Sequence, residues 1–326
     1  MAYAVQREEL PRLQAEWEGI LNLSPEPLPF LHPLWQRVWL EEFQEGRELL
    51  LLAVREAERL IGVAPLLQEN GRLSLVGHHS ICDYMDFVVT PGLDREFFAA
   101  LLDSLRHHDW QELDLRGLRE GSPTLSAVPA LAQGLGFQIC RDLEAVSPRV
   151  ELPPTWSDYL ASLPGKERHE LRRKLRRLFQ QGDVEIRVLT SPQETGPGMD
   201  QFLRFMTESR YDKAQFMTGK MEQFFHHVVA DLSEAGLVRL YMLELDGRAV
   251  ASVLCFDLGG RLYMYNSGYD PTYSHLSVGL LCKVLCLRDA IEQGRRCLDF
   301  LRGNEPYKYD LGGRDQSVYR CLIRRP

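Results

Sequence analysis

The residues whose types and spacing could do chemistry gather in one stretch, Arg261 to Lys308. It reads as a strand, a turn at Gly268-Tyr269-Asp270-Pro271, a polar loop Tyr273-Ser274-His275-Leu276-Ser277-Val278-Gly279, a helix, a short strand, and then Asp299-Phe300-Leu301-Arg302-Gly303-Asn304-Glu305-Pro306-Tyr307-Lys308. A polar, glycine-containing loop that opens a helix directly after a strand presents unpaired backbone N–H groups to an anion, and the helix dipole adds attraction. Pyrophosphate suits such a cradle. Ser277 is also the expected N-cap of the helix, so the loop taken alone is equally an ordinary strand-to-helix connection. Around it, Asp299, Glu305 and His275 are candidate bases, Tyr307 and then Tyr273 candidate acids, and Lys308 a candidate partner for a phosphate or carboxylate. Each has a structural alternative. Asp299 caps a turn, Glu305 pairs with Arg302, His275 is solvated, Tyr307 holds the C-terminal tail, or Lys308 is a surface lysine.

A second concentration of charge lies upstream, in the predicted helix 166–181. Lys166 to Arg177 carries seven basic side chains in twelve positions, and Leu171, Leu175 and Leu178 supply one apolar stripe. Arg168 and Arg172 fall on other faces, where guanidinium forks could hold an anionic substrate group. A solvated face laced by pairs such as Glu170 with Lys174 is the alternative. In the first half, His78-His79-Ser80-Ile81-Cys82-Asp83-Tyr84-Met85-Asp86 offers Asp83 and Tyr84 for acceptor binding. No metal is expected there, because adjacent histidines on a strand point to opposite faces.

The elements that must position these groups recur. Glu48 to Arg55, Arg59 to Gln68 and Arg72 to Val76 read as strands joined at Glu56-Ala57-Glu58 and Asn70-Gly71. Asp86 to Thr90 reads as a strand, Arg95 to His108 as a helix, and Glu112 to Leu115 as a strand. The second half repeats the order: strands Val238 to Leu245, Ala249 to Leu258 and Arg261 to Gly268, a helix from Val278 to Gln293, and a strand from Cys297 to Leu301. Ile61-Gly62-Val63-Ala64 matches Val250-Ala251-Ser252-Val253, and Leu113-Asp114-Leu115 matches Leu298-Asp299-Phe300, which argues for two copies of one α/β unit. Helices are also predicted over Val5 to Asn22 and Pro33 to Phe43. The expected domains are residues 1–150 and 151–326, the second including the basic helix.

Composition bounds the rest. With 326 residues, 44% hydrophobic and 26% charged, the chain is globular and long enough for about two domains. A formal charge of −8 disfavours a broad grip on nucleic acid, so no DNA partner is expected. The seven cysteines are scattered, with no CxxC pair, and read as reduced core thiols. No apolar run approaches the ~20 residues of a membrane span. The first residues lack an apolar signal core, so the expected location is cytoplasmic, compatible with peripheral membrane contact.

The sequence resembles the GNAT superfamily of acyltransferases, and within it the tandem-domain group related to CelD-type and FemABX proteins. The likeness rests on Trp156-x-x-Tyr159-Leu160, the Arg168 to Arg177 helix, Gly268-Tyr269-Asp270-Pro271-x-Tyr273, Ser277-x-Gly279-Leu280-Leu281 and Asp299-Phe300-x-x-Gly303-x-Glu305-x-Tyr307-Lys308. It implies an α/β fold of tandem GNAT-like domains, each a mixed central sheet flanked by helices. It implies a donor cleft where Arg261 to Gly268 and Cys297 to Leu301 splay apart, lined by Tyr265, Ser274, Ser277, Val278, Gly279 and Leu280, with the first copy degenerate as a donor site. One departure stands out: the family's Gln/Arg-x-x-Gly-x-Gly/Ala loop keeps only Gly279, with Ser274 and Ser277 at its first and fourth places. The resemblance implies direct N-acyl transfer from acyl-CoA or acetyl-CoA, used as cosubstrate with no tightly bound cofactor, to an amine of a cell-envelope, polysaccharide or lipid precursor. An acyl carrier protein or an aminoacyl-tRNA is an alternative donor, and a non-catalytic assembly module is the alternative from a different class.

Overall fold

The computed structural model describes residues 3–325. The chain divides into two compact units, Met1–Val146 with Gln316–Pro326, and Ser147–Asp315. The first runs β1 (Tyr3–Arg7), α1 (Leu10–Leu23), α2 (Pro33–Phe43), β2 (Glu48–Glu56), β3 (Arg59–Glu69), β4 (Arg72–Leu75), β5 (Val88–Val89), α3 (Asp94–Leu105), β6 (Glu112–Arg119), α4 (Pro123–Gly134) and most of β7 (Gln138–Glu151). The second continues with α5 (Trp156–Ser162), α6 (Gly165–Phe179), β8 (Val184–Leu189), α7 (Pro192–Ser209), α8 (Tyr211–Phe216), α9 (Gly219–Glu234), β9 (Val238–Leu245), β10 (Arg248–Leu258), β11 (Arg261–Tyr269), α10 (Val278–Glu292), β12 (Cys297–Asp299) and α11 (Pro306–Asp310). The last strand, β13 (Arg314–Arg324), pairs with β6.

Both units are built around an antiparallel meander whose turns are dictated locally. Asn70-Gly71 and Asp246-Gly247 take positive φ at both central positions, +49° and +76°, and +51° and +72°. That conformation matches the right-handed twist of a two-residue hairpin, and Asn, Asp and Gly reach it most cheaply. In the second unit β8, β9, β10 and β11 pair antiparallel in sequence order. β11 then pairs in parallel with β12, at Arg261–Cys297, Leu262–Leu298 and Tyr263–Asp299 only. The first unit repeats this with β4 and β6, parallel over Arg72–Glu112, Leu73–Leu113 and Ser74–Asp114. Each unit is thus a mixed sheet flanked by helices.

Burial follows from the pattern. α10 is apolar nearly all round, and Val278, Leu281, Cys282, Val284, Leu285, Cys286, Leu287 and Ile291 are all buried against the sheet and neighbouring helices. Each such aliphatic side chain contributes roughly 1.5–3 kcal/mol on transfer from water. Six of the seven cysteines are buried, Cys140 being exposed.

Several expectations are corrected. The first helix begins at Leu10, because Tyr3–Arg7 pairs with β2 as an edge strand and Pro11 is tolerated only in a helix's first turn. The strand expected over Asp86 to Thr90 shrinks to Val88–Val89, since Asp86 turns inward to accept from the Ser122 and Thr124 hydroxyls and the Phe87 N–H. β12 stops at Asp299, because Leu301 adopts a φ of +58°. Residues 316–326, assigned to the second half from sequence, group with the first unit through the pairing of β13 with β6. The elements α4, β7 and β13, and the whole segment from β8 to α9, have no counterpart in the sequence reading.

Candidate functional site

The parallel ladder between β11 and β12 ends at Tyr263 and Asp299, while β11 runs on to Tyr269. Beyond that point the strands part. Just there β11 carries a bulge: Leu254 faces Asn266 and Cys255 faces Met264, leaving Tyr265 as the extra residue. Bulges re-aim side chains and terminate pairing, and they concentrate beside functional sites. The Tyr265 ring packs on Phe225 and Phe256, centroids 5.8 and 5.2 Å away, which fixes the bulge from one side.

α10 begins against the end of β11. A Cβ on Gly279 would lie 2.8 Å from the Tyr269 ring, so only glycine allows this approach. Ser277 occupies the N-cap position with a φ of +60°, and its carbonyl accepts from the Leu280 and Leu281 N–H groups. Its side chain makes no capping hydrogen bond, contrary to expectation, because the left-handed backbone turns the hydroxyl away. Instead Arg177 Nη2 donates to Ser277 Oγ at 3.5 Å, and the Arg177 Nε is buried with no hydrogen-bond partner. The last turns of α6 therefore bring a guanidinium with unused donor capacity to the start of α10. That is the arrangement expected of an anion cradle.

The other arginines of α6 behave differently. Arg168 donates to the Ala161 carbonyl at 3.2 Å, Arg172 is exposed, and Arg173 pairs with Glu170 at 2.7 Å. Glu170 also lies 3.7 Å from Lys174, so this face carries the helical pairs that the sequence offered as its alternative. A groove of about 140 Å³ lies between α6 and α10, lined by Lys166, Glu170, Leu171, Lys174 and Leu280. Among the loop residues, Ser274 and His275 are exposed, Tyr273 packs partly on the core, and Val278 is buried.

Lys308 is neither the surface lysine of the structural alternative nor an ammonium with its donors open to a phosphate or carboxylate. It is 2% exposed, its Nζ donates to the carbonyls of Leu301, Arg302 and Gly303 at 2.9, 3.0 and 3.1 Å, and Glu305 Oε2 lies 2.9 Å away. It folds the loop between β12 and α11. Burial works against the Glu305 charge, but Lys308, a backbone N–H and Arg210 outweigh it and hold the carboxyl below its ordinary range. Glu305 thus pairs with Lys308, not with Arg302, and is a poorer base for it. Asp299 is also committed: it accepts from the Leu301 N–H at 2.7 Å and from Ser147 Oγ at 3.2 Å, which is the turn-capping alternative. Tyr84 is 1% exposed and packs edge-on to Phe30, so its ring is closed to an acceptor; Asp83 beside it is half-buried.

Tyr307, on α11, packs its ring edge-on to Phe300 just past the end of β12, with centroids 6.2 Å apart. Burial and the nearby Glu305 charge push its hydroxyl up, so it keeps its proton well beyond neutral pH. The Lys283 ammonium sits 5.0 Å from the Tyr307 ring centroid and donates to the Gly279 carbonyl at 3.0 Å. Lys213, on α8, donates to Asn266 Oδ1 at 2.7 Å and to the Ser267 carbonyl. Sequence reasoning missed Arg177, Lys213 and Lys283. The first hid among seven similar charges; the two lysines stand singly in unremarkable segments, and only the fold brings them to one place.

Residues 165–309 match the family model described as an acetyltransferase (GNAT) domain. No curated protein sequence matches the chain. Among solved structures, FemX is similar at a TM-score of 0.68 and 13% identity, over 98% of this chain and 96% of its own. The C-terminal domain of a putative lysylphosphatidylglycerol synthetase from Agrobacterium fabrum is similar at 0.63 and 8% identity, over 96% and 92%. A tandem GNAT protein from the clavulanic acid biosynthesis pathway is similar at 0.53 and 14% identity, over 100% and 99%. At these identities the likeness is one of fold.

Proposed function

We infer, from a chain whose residues 165–309 match the GNAT acetyltransferase domain model, that the protein moves an acyl group from an acyl-coenzyme A thioester to an amine. The observation that carries this reading is the meeting of three features in the second unit. They are the parting of β11 and β12 after Tyr263 and Asp299, the tight start of α10 at Gly279, and the partly unsatisfied Arg177 guanidinium beside Ser277. The pyrophosphate would lie at the α10 start, where the first-turn N–H groups and Arg177 meet its charge. The reacting thioester would reach the parting strands, where backbone N–H groups of β11 could stabilise the oxyanion.

Transfer is direct in this reading: the amine attacks the thioester carbon and the thiolate departs. Tyr307, kept protonated by its surroundings, is the candidate acid for that thiolate. The first unit keeps the parallel β4–β6 pair, but its helix α3 starts at Asp94 behind an N-cap, Leu93, that supplies no capping side chain, and no Ser-x-Gly loop precedes it. We read it as degenerate for donor binding. The acceptor we favour is an amine on an envelope precursor, an amino sugar, peptide or lipid base, reached from the cytoplasm. The support is the likeness to FemX and to a protein named for lysylphosphatidylglycerol synthesis. A second reading, aminoacyl-tRNA as donor, is favoured by the single glycine in the donor loop together with the FemX likeness, and it predicts ribonuclease-sensitive turnover.

The test is a panel of acyl-CoA donors against pooled amines with thiol release as readout, alongside calorimetry with coenzyme A. Arg177→Ala should raise the donor KM about tenfold, the loss of roughly 1.4 kcal/mol of charge-assisted contact, with kcat nearly unchanged. Absence of both donor binding and turnover would leave a non-catalytic module as the reading.

A further inference from the structure

Resting on the acyl-transfer reading, the structure carries a further assignment at Lys213. Its amine donates to Asn266 Oδ1 and to the Ser267 carbonyl, and both residues follow the Tyr265 bulge on the part of β11 that β12 no longer accompanies. The amine end is therefore held at the parted strands. Two of its three non-carbon positions are spent on these acceptors. When the amine is neutral, the third is a lone pair that neither of these two hydrogen bonds uses and that can take a proton.

The neighbouring charges favour that neutral form. From α10 comes Lys283, from the start of α8 come Arg210 and Asp212, and from the segment before α11 comes Glu305. The Asp212 carboxylate is taken by Arg210 in a two-pronged pair at 2.9 and 2.7 Å, and Glu305 is paired with Lys308. Burial, Lys283 and Arg210 together bring the Lys213 amine down to about 7, against weaker pulls from Asp212 and Glu305. A base that is half-neutral at physiological pH is suited to proton abstraction.

We propose that Lys213 is the general base of the transfer, its neutral amine taking a proton from the ammonium group of the acceptor. The Lys213 lone pair forms the new N–H bond and the acceptor nitrogen keeps the electron pair. That pair then forms the N–C bond to the thioester carbonyl carbon. As the C–S bond breaks, its electrons leave on sulfur, and the second proton shed by the acceptor nitrogen ends on the thiolate. Lys213 returns its proton to solvent. Asp299 and Glu305, bound up in the loop that Lys308 folds, are relieved of this role.

The experiment measures kcat/KM from pH 5 to 9 for the wild type, Lys213→Gln and Lys283→Gln, with coenzyme A affinity by calorimetry. The wild type should lose activity below about pH 7. Lys213→Gln should lower kcat by about 10²–10³-fold, with donor affinity within twofold and no acid limb near pH 7. Lys283→Gln removes a facing positive charge and should move the acid limb to higher pH, a shift that a purely structural role for Lys213 would not give. A Lys213→Gln enzyme within threefold of the wild-type kcat, or with the limb unmoved, overturns the proposal. Wild-type protein that neither binds donor nor turns over refutes the acyl-transfer reading instead. Titration of the lysine amines by nitrogen NMR separates the two failures and does not need the variant to fold. A lysine titrating near pH 7 in the wild type, moved by Lys283→Gln, supports the assignment, and all lysines titrating above pH 9 overturn it.

Discussion

Lys308 spends its donors on the protein. An ammonium has three N–H bonds, and three inward-turned carbonyls take them, with the Glu305 carboxylate adding its charge. The carbonyls point inward because Leu301 and Gly303 take φ values of +58° and +120°. Lys308→Met should therefore leave three carbonyls unsatisfied and Glu305 without its partner, at a cost of about 3 kcal/mol or more. Thermal unfolding should drop by several degrees. A melting temperature within one degree of wild type, with a raised substrate KM, would return Lys308 to ligand binding. The same residue shows why side-chain type alone misleads: a lysine next to a tyrosine and a turn reads as surface until the loop is seen to close over it.

At the scale of an element, α2 depends on a histidine. His32 precedes Pro33, its Nδ1 accepts from the Leu34 N–H at 3.3 Å, and the ring is 2% exposed. Burial lowers its pKa to about 4. The unfolded chain takes up this proton near pH 6.5, before the folded chain does, so stability present above that pH is lost as pH falls from about 6.5 through 4. The loss at pH 4 should be about 3 kcal/mol from this group. His32→Asn keeps a side-chain oxygen for the Leu34 N–H and removes the titration. Urea unfolding at pH 7, 5.5 and 4 should show the wild type losing more stability than the variant. Equal pH slopes would mean that the ring charges without cost. α10 makes the complementary point: Gly279 is legible as a loop glycine, yet its reason is the Tyr269 ring 2.8 Å from where a Cβ would stand.

For the whole molecule, the telling segment is the C-terminal strand. β13 lies beside β6, and its Val318, Cys321 and Ile323 are buried. Arg320 reaches Asp114 at 2.6 Å, and Arg72 also contacts that 3%-exposed carboxylate. Removing residues 316–326 should expose the β6 edge and leave Asp114 short of one guanidinium, destabilising the first unit. Limited proteolysis should then cut within residues 3–146 faster than in the full chain. Unchanged cleavage rates there would show that the strand contributes little to that unit.

The meanders, their turns and the repeat of one α/β unit were readable in the sequence, since apolar alternation and residues such as Asn70-Gly71 and Asp246-Gly247 act over a few positions. The segment before α10 was readable for the same reason, as a polar loop between a strand and an apolar helix. Local signals failed where partners are distant in the chain. β1 and β13 are short or mixed in pattern and exist because β2 and β6 offer edges to them. Asp299, Glu305 and Lys308 carried the right chemistry, but the fold commits them elsewhere, Asp299 to the Leu301 N–H and Ser147, and Glu305 and Lys308 to each other. Arg177, Lys213 and Lys283 come from three separate helices, and no spacing in the chain relates them. Charge and pattern are properties of residues and short segments. Which charge is left unspent in an enclosed site depends on every partner that packing supplies, and only the tertiary structure decides that.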